Sequence, residues 1–408
     1  MNALQAVTPP RPEPQRLTEL DALRGVMLLW ITVTHLPTRL STYVNQPFGY
    51  FAATEGFIFL SALFTGRIYG RVAERQGESA MSRRLWMRAA RLYGYQLLLL
   101  LVAFVIEAPL AAHGNRPAVK NLLSFYFTGH ARAYLEAALM IYRPPLLDIL
   151  PIYIIFMALT PFALMLGARW GWKYLFSASG VLWFFAQFGF RSFAHRLVTR
   201  ALALHIPLNE MGAFDLWAWQ LWWLVGLYLG VRWARGDLRF DLWARRLMLP
   251  AALVALSFLA LRYAQMGGMV SLGKFDLLLD KWTFGAGRIV DFTAVAVLAV
   301  HFRGFLKHLA VQPLVLLGQA SLEVFCVHLM CVFFALTVMG SRPQIRGPAA
   351  LVLVAASCAA LFLTATLVTR RRARANRAGA LPAVPAQHPP ESHLTQSPAR
   401  RPAGNVTS

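Results

Sequence analysis

About ten long apolar stretches run through the chain, and this feature limits its fold more than any other. An α-helix rises about 1.5 Å per residue, so about 20 apolar residues are needed to cross roughly 30 Å of hydrocarbon. We therefore predict an all-α polytopic membrane protein, a bundle of about ten transmembrane helices. The predicted spans are residues 20–36, 50–70, 92–112, 146–167, 174–190, 214–231, 247–266, 284–302, 314–339 and 349–368.

The composition agrees with a membrane protein. Of the 408 residues, 57% are hydrophobic and only 14% are charged, which is too apolar for one water-soluble core. The net charge of +22 does not indicate nucleic-acid binding, because the basic residues lie in bursts between apolar stretches rather than along a stripe with stacking aromatics. We therefore expect the lipid bilayer, and no nucleic acid, as a partner.

The bursts of arginine predict the orientation. They fall in the second connection, in the sixth connection and after the last span: Arg71, Arg75, Arg83, Arg84, Arg88, Arg91; Arg232, Arg235, Arg239, Arg245, Arg246; Arg370, Arg371, Arg372, Arg374. By the positive-inside rule these segments face the cytoplasm, which with ten helices also puts the N-terminus there. A further stretch, 122–142, mixes aromatics with His130, Arg132 and Glu136 and is better explained as an interfacial or re-entrant helix, so eleven helices remain an alternative.

The chain divides into three parts. Residues 1–18 are Pro-rich, lack the pattern of a signal peptide and are expected to form a flexible N-terminal tail. Residues 19–369 form one membrane domain. Residues 370–408 are Arg- and Pro-rich without apolar periodicity, which predicts a disordered cytoplasmic tail. The three cysteines, Cys326, Cys331 and Cys358, lie in apolar stretches and predict neither a disulfide framework nor a metal site.

Ionisable residues inside the predicted spans point to function, because each costs at least about 2.5 kcal/mol to insert. They are Asp21, Arg24, His35, Glu55, Glu107, Asp148, Asp215, Arg288, Asp291, His301, Glu323 and His328. For Glu107, Asp148, Asp215 and Arg288, a boundary position or a structural pairing is as good an explanation as a functional one. Arg288 and Asp291 are three residues apart and could simply neutralise each other on one helix face.

The first span is the most informative. Arg24 and His35 are eleven residues apart, only about 20° beyond three full helical turns, so they project from one face about 16 Å apart along the helix. Each alone has a simple explanation: Arg24 can pair with Asp21 or a lipid phosphate, and His35 lies just before the helix-ending Pro37. Together they suit a reaction between an anionic donor at one membrane face and a hydroxyl at the other, because histidine can accept a proton near neutral pH.

Several segments of the chain resemble a known family. The first, "LTELDALRGVMLLWITVTHL", has an arginine and a histidine separated by ten residues, the signature of the membrane acyltransferase-3 superfamily. Four further blocks, "ATEGFIFLSALFTGRIYG", "LLDILPIYIIFMALTP", "FDLWAWQLWWLVGLYLG" and "LGQASLEVFCVHLM", resemble its OpgC branch, the succinyltransferases of osmoregulated periplasmic glucans. The likeness runs from about residue 17 to 368, with one departure: Ala62 stands where the family usually has glycine.

The resemblance implies an enzyme of the bacterial inner membrane, a transmembrane O-acyltransferase with both termini cytoplasmic. It would take an acyl group, expected to be succinyl, from cytoplasmic acyl-CoA as co-substrate and place it on a hydroxyl of periplasmic glucan or a related glycan. No permanently bound cofactor is implied, and glucan biosynthesis proteins are candidate partners. The expected catalytic residues are His35 as general base, Arg24 and Glu55; the candidate substrate-binding residues are Asp21, Asp148, His328 and Arg288.

Two roles stay open at this point. Glu55 could fix the tautomer of His35 or could make a buried structural hydrogen bond to a neighbouring helix. His328 could line the cavity or be a core histidine with its hydrogen bonds satisfied. Transfer could also pass through an acyl-histidine intermediate.

Two other function classes are alternatives. A membrane transporter or flippase of a glycan or lipid-linked substrate would also hold charges near the midplane, but it would move its substrate without acyl-CoA. A structural membrane protein would use the polar residues only to pair helices, and it would tolerate the loss of the His35 imidazole.

Overall fold

The computed structural model describes residues 18–128, 132–238 and 240–379. Over these ranges the chain is helical, and the only β-type pairings are two isolated bridges, Thr38 with Ile345 and Phe48 with Phe51. The α-helices are α1 Thr18–His35, α2 Arg39–Val44, α3 Ala53–Leu101, α4 Ala108–His113, α5 Pro117–Leu122, α6 Ser124–Phe127, α7 Ala133–Ala138, α8 Ile149–Arg169, α9 Trp172–Gln187, α10 Phe190–Ala201, α11 Leu216–Arg235, α12 Phe240–Met266, α13 Ala286–His301, α14 Arg303–Leu306, α15 Gln312–Gln319, α16 Ser321–Met339 and α17 Pro348–Gly379. A π-helix, Val102–Glu107, joins α3 to α4, and 3₁₀ turns cover Leu208–Glu210, Gly273–Leu279 and Lys307–Leu309.

All ten predicted spans are largely helical, which confirms an all-α membrane protein, but a count of ten spans is not confirmed. Five helical stretches of the described residues are long and apolar enough to cross a membrane, or six if the bent pair Ala286–His301 and Arg303–Leu309 forms one span. Helix α1 does not qualify because Glu19, Asp21 and Arg24 lie within its 18 residues. Helix α9 has only 16 residues and is too short.

Helix α3 accounts for two of the predicted spans. It is interrupted at Gly77, whose backbone is not helical (φ 87°, ψ 165°). Arg88 forms a side-chain hydrogen bond with Tyr69, nineteen residues earlier, whereas a straight helix would separate the two by about 28 Å. The side chain of Arg84 likewise donates to Gln76 at 2.6 Å. The chain therefore folds back at Gly77, which explains how 49 continuous residues fit within a bilayer.

The predicted re-entrant segment, 122–142, does not form one helix. Its described residues fall in the short helices α5, α6 and α7, and residues 129–131 lie outside the described ranges. Phe125 and Tyr142 are buried within the bundle. Their rings contact each other, with centroids 4.9 Å apart, so the two ends of this segment pack together. The interfacial or re-entrant placement of the segment stays a prediction.

The first compact unit of the chain ends at Thr369. Helix α17 continues to Gly379, so the first ten residues of the predicted disordered tail are helical, as their Arg and Ala content favours. The rest of that tail lies outside the described residues. So does the predicted N-terminal tail, except for Thr18, where α1 begins.

Glycines let the central helices approach closely. A Cβ atom at Gly318 of α15 would lie 1.8 Å from the carbonyl oxygen of Asp21 in α1, so these two backbones are in direct contact. At the crossing of α3 and α11, a Cβ at Gly226 would lie 2.6 Å from the Cβ of Ala62. The methyl group of Ala62, where the family usually has glycine, can therefore be accommodated because Gly226 opposite it has no side chain.

The basic connections meet at one end of the bundle. Arg235, at the end of α11, pairs with Glu74 of α3 at 2.7 Å, and Arg71 donates to the carbonyl of Ala234 at 3.3 Å. At the other end of α11, the backbone N–H of Asp215 donates to Trp282 at 3.0 Å. The second and sixth connections therefore lie together at one end of the bundle, and the cytoplasmic placement of this end stays a prediction.

Candidate active site

Two histidines from different helices form the centre of the candidate site. His35 is the last residue of α1, and His328 lies in the middle of α16. The Nδ1 atom of His35 is 3.2 Å from the Nε2 atom of His328, and the rings stack with centroids 5.2 Å apart. His328 is fully buried, whereas His35 is only half-buried. The pair therefore has a partly exposed member and an enclosed one.

The two outer ring nitrogens of the pair have different surroundings. Nδ1 of His328 is buried and has no hydrogen-bond partner among the described residues. Nε2 of His35 likewise forms no hydrogen bond within the described ranges, but it is not enclosed. If His35 donates its Nδ1 proton to His328, its Nε2 atom is left with a lone pair, the form that a general base needs. The sequence placed His328 among the substrate-binding residues and did not pair it with His35.

Arg24 lies at the other end of the site, also on α1, and contacts α16 and α3. Its Nη2 atom donates to the hydroxyl of Ser321, the first residue of α16, at 2.6 Å. Its guanidinium also lies 5.7 Å from the ring centre of Phe57 and 5.3 Å from that of Phe64. Arg24 and His35 thus both face α16, as the eleven-residue spacing predicts. Ser321 was missed by the sequence analysis, although it lies within the ninth-span block.

Aromatic rings fill the space between Arg24 and the histidine pair. Phe57 of α3 stacks on Phe325 of α16 with centroids 6.2 Å apart and planes 16° from parallel. Phe325 in turn lies 5.5 Å from the ring of His328. The two polar ends of the site are therefore joined by an apolar column contributed by α3 and α16.

Glu55 pairs with Arg288. The Arg288 Nη1 atom is 2.6 Å from Glu55 Oε1, and both side chains are buried. The second oxygen of Glu55 accepts the backbone N–H of Ala52 at 3.0 Å. No hydrogen bond joins Glu55 to His35 in the described part of the chain. The structural alternative for Glu55, a buried bond to a neighbouring helix, is therefore the one observed.

Arg288 and Asp291, which could have neutralised each other, interact electrostatically but form no direct ion pair in the described part of the chain. Asp291 instead accepts the backbone N–H groups of Tyr50 and Phe51, at 2.7 and 2.9 Å. Arg288 also donates to the carbonyl oxygens of Tyr50 and Leu279, both at 2.6 Å. The two side chains of α13 bind different groups. The loop before α3 supplies backbone N–H donors for Asp291, and the start of α3 supplies the carboxylate that pairs with Arg288.

The remaining substrate-binding candidates lie apart from the histidine pair. Asp21 is buried in the first turn of α1, fourteen residues and about 21 Å along the helix from His35. Asp148 precedes α8 and accepts the backbone N–H of Ala213 at 2.8 Å. Its carboxylate interacts electrostatically with Arg143 and Lys281. Asp148 thus lies at the His35 end of the bundle, and Asp21 at the opposite end.

Lys281 is a further residue that sequence reasoning missed. It lies in the connection between the 3₁₀ turn Gly273–Leu279 and α13, and its charge acts on His35, Glu55 and Asp148. It lies outside the predicted spans, so it was not among the ionisable residues considered there. No helical periodicity leads to it, because it lies in no helix.

The chain was compared with known proteins. The family model described as OpgC protein matches residues 16–373, which nearly coincide with the predicted likeness over 17–368. No curated protein and no solved structure matches the chain. Because the matched region includes α1, α3, α13 and α16, and therefore the whole candidate site, the chain belongs to the OpgC protein family.

Proposed function

We propose that the protein is a transmembrane O-acyltransferase that moves a succinyl group from cytoplasmic succinyl-CoA to a hydroxyl of periplasmic glucan. Membership of the OpgC family supports a glucan-modifying acyltransferase. The observation on which the proposal rests is the contact of His35 with His328, because it gives a half-buried imidazole a partner that can fix its tautomer.

The reaction follows from this pair. His328 accepts the Nδ1 proton of His35 in a hydrogen bond, so that Nε2 takes the proton of the acceptor hydroxyl. The hydroxyl oxygen attacks the thioester carbonyl. The new C–O bond forms, the C–S bond breaks, and the departing CoA thiolate takes the former hydroxyl proton from the imidazolium of His35. General-base assistance of this kind contributes about 10²- to 10⁴-fold.

Arg24 is proposed to hold an anionic part of the donor. Its guanidinium lies between the rings of Phe57 and Phe64, and such weakly polar surroundings strengthen attraction to an anion. A donor that contacts both Arg24 and His35 must extend over about 16 Å. The long, thin pantetheine arm of CoA suits that requirement, and it would have to pass the stacked rings of Phe57 and Phe325.

The experiment is a transfer assay with purified protein in proteoliposomes. Succinyl-CoA is supplied on the side of the basic connections and glucan on the other, and both CoA release and glucan mass are followed. His35→Ala should lose activity by at least about a hundredfold, whereas the exposed His113→Ala should not. A correctly folded His35→Ala protein that works at the wild-type rate would refute the general-base role.

Arg24→Lys tests the donor end. Lysine keeps the charge but loses the planar fork that contacts Ser321 and the two phenylalanines. We expect a higher KM for succinyl-CoA with a smaller change in kcat. Movement of glucan across the membrane without any dependence on acyl-CoA would favour the transporter alternative instead.

A further inference from the structure

We infer that Lys281 binds the free carboxylate of the acyl group during transfer and so selects a dicarboxylic donor over a neutral one. This inference rests on the proposed acyl transfer at His35. It starts from an ammonium that acts on the imidazole of His35 while having no ion pair or hydrogen bond of its own within the described ranges. An ammonium that no carboxylate contacts directly can bind an anion that arrives with the substrate.

Two neighbouring cations, Arg288 and Arg191, already have partners. Arg288 is held by Glu55 and by two backbone carbonyls. Arg191 donates to the carbonyls of Ala213 and Leu208, at 3.0 and 3.3 Å. These two guanidinium groups therefore hold the bundle together. Arg143, which also interacts with Asp148, has no hydrogen-bond partner at Nε and Nη1 among the described residues. Lys281 is the cation whose charge acts on His35.

The carboxylates near Lys281 are also engaged. Glu55 forms its ion pair with Arg288 at 2.6 Å, and Asp148 accepts the N–H of Ala213 at 2.8 Å. Neither lies within ion-pair distance of the Lys281 ammonium. A carboxylate that arrives with the acyl group can therefore occupy this position without displacing an existing pair.

The backbone on both sides of Lys281 is fixed. The carboxylate of Asp280 accepts the N–H and the hydroxyl of Thr283, each at 2.7 Å. The carbonyl of Trp282 accepts from the backbone of Asp215 and from the indole of Trp219, at 3.0 and 3.1 Å. Because the chain is held, binding of an anion by Lys281 requires ordering of its side chain but not of its backbone.

The side chain itself is directed by its neighbour. The ammonium lies 5.2 Å from the ring centre of Trp282, which favours a positive charge at that point. In a succinyl thioester the carboxylate lies two methylenes beyond the reacting carbonyl. Because the charge of Lys281 acts on His35, we expect a carboxylate at this short distance from the reacting carbonyl to interact with the Lys281 ammonium.

The test compares donors of equal length. Succinyl-CoA and butyryl-CoA both have four-carbon acyl groups, but the second has a methyl in place of the carboxylate. We expect Lys281→Met to lower the ratio of kcat/KM for succinyl-CoA to that for butyryl-CoA by about ten- to a hundredfold, as loss of a hydrogen bond to a charged group predicts. Lys281→Arg should keep most of the ratio, because it keeps the charge.

Lys274→Met is the matched control. Lys274 lies in the same connection but is exposed, so its substitution should leave the ratio at the wild-type value. Melting temperature and size-exclusion profile in detergent show whether each variant folds.

Three outcomes would overturn the inference. An equal loss of kcat/KM with both donors in Lys281→Met would mean that Lys281 acts on the reacting carbonyl or on the fold. Wild-type kcat/KM with both donors would mean that it is outside the site. Wild-type protein that prefers butyryl-CoA or acetyl-CoA would reject carboxylate selection while leaving acyl transfer intact. Wild-type protein that uses no acyl-CoA would instead reject the proposed function, a result visible before any variant is made.

Discussion

The imidazoles of His35 and His328 are 3.2 Å apart, although 293 residues separate them in the chain. Helix α1 presents one ring at its last residue, and α16 presents the other from a fully buried position. The buried ring has few ways to move, so it fixes the orientation of the ring that faces the reaction. His328 is in this sense a positioning residue for the proposed general base.

The first prediction concerns that positioning role. We expect His328→Ala to lower kcat by about 10²- to 10⁴-fold, with little change in KM for the donor, because the tautomer of His35 is no longer held. His328→Gln should recover part of the loss, since its amide can still accept the Nδ1 proton. Initial rates over a range of donor concentrations and pH give the result. A rise in KM with kcat unchanged would assign His328 to substrate binding instead.

The site was predictable from the sequence only where it depends on one helix. The eleven-residue spacing of Arg24 and His35 predicted their shared face, and both do contact α16, at Ser321 and His328. Glu55 and Arg288 lie on different helices and are 233 residues apart in the chain, yet they form an ion pair. Helical periodicity gives the faces of one helix but not which helices adjoin, so that pair could not be derived.

In the fold as well, features of a single helix were predictable and features that depend on packing between helices were not. Apolar stretches predicted helices at all ten places, because burial in lipid requires backbone hydrogen bonds within each segment. The fold-back within α3 was hidden, because Gly77 stands among residues that favour helix on both sides. The count of spans also depends on α1, whose charges are accommodated by packing against α15 and α16, and composition alone does not report such packing.

The second prediction separates stability from chemistry at Glu55. Removing one member of a buried ion pair leaves an uncompensated charge, so Glu55→Gln and Arg288→Met should each destabilise the protein by about 3 to 5 kcal/mol. The double variant should be more stable than the sum of the single losses predicts. Unfolding in detergent, followed by tryptophan fluorescence, gives the coupling energy.

Turnover of the same variants decides the role of Glu55. If the carboxylate acts only through Arg288, activity of the double variant should recover together with its stability. Recovery of stability without activity would support the catalytic role that the sequence suggested for Glu55.

The third prediction concerns the contact between α1 and α15. At Gly318 a Cβ would lie 1.8 Å from the backbone of Asp21, so Gly318→Ala must push α1 away. We expect a loss of at least about 1 to 3 kcal/mol, as for other overpacked cores, and reduced activity because Arg24 moves with α1. Thermal unfolding in detergent measures the first effect, and the succinyl-transfer assay measures the second.

Gly94→Ala is the control for this substitution. Gly94 lies in the second half of α3, and a Cβ there would meet nothing within 4 Å. Alanine is favoured over glycine inside a helix by about 0.5 to 1 kcal/mol, so this variant should be unchanged or slightly stabilised. A similar loss in both variants would show that the α1–α15 contact has no special importance.

The last prediction is a pH dependence specific to one donor. Burial lowers the pKa of Lys281, as does nearby Arg288, while Glu55 and Asp148 act in the opposite direction. The ammonium therefore loses its charge, as pH rises, below the ordinary lysine value of about 10.4. The charge of Lys281 also acts electrostatically on His35. Succinyl transfer should fall on this alkaline limb, whereas butyryl transfer, which needs no cation, should not.

Substitution by arginine gives the decisive comparison. A guanidinium stays protonated well above pH 10, so Lys281→Arg should move the alkaline limb of succinyl transfer to higher pH and leave the butyryl profile in place. Rates of CoA release, corrected for uncatalysed thioester hydrolysis at each pH, give both profiles. If the two donors lose activity at the same pH in the wild-type protein, and Lys281→Arg shifts neither curve, the limb belongs to another group. Lys281 would then have no part in holding the acyl carboxylate, because a carboxylate held by an ammonium must be released when that ammonium loses its proton.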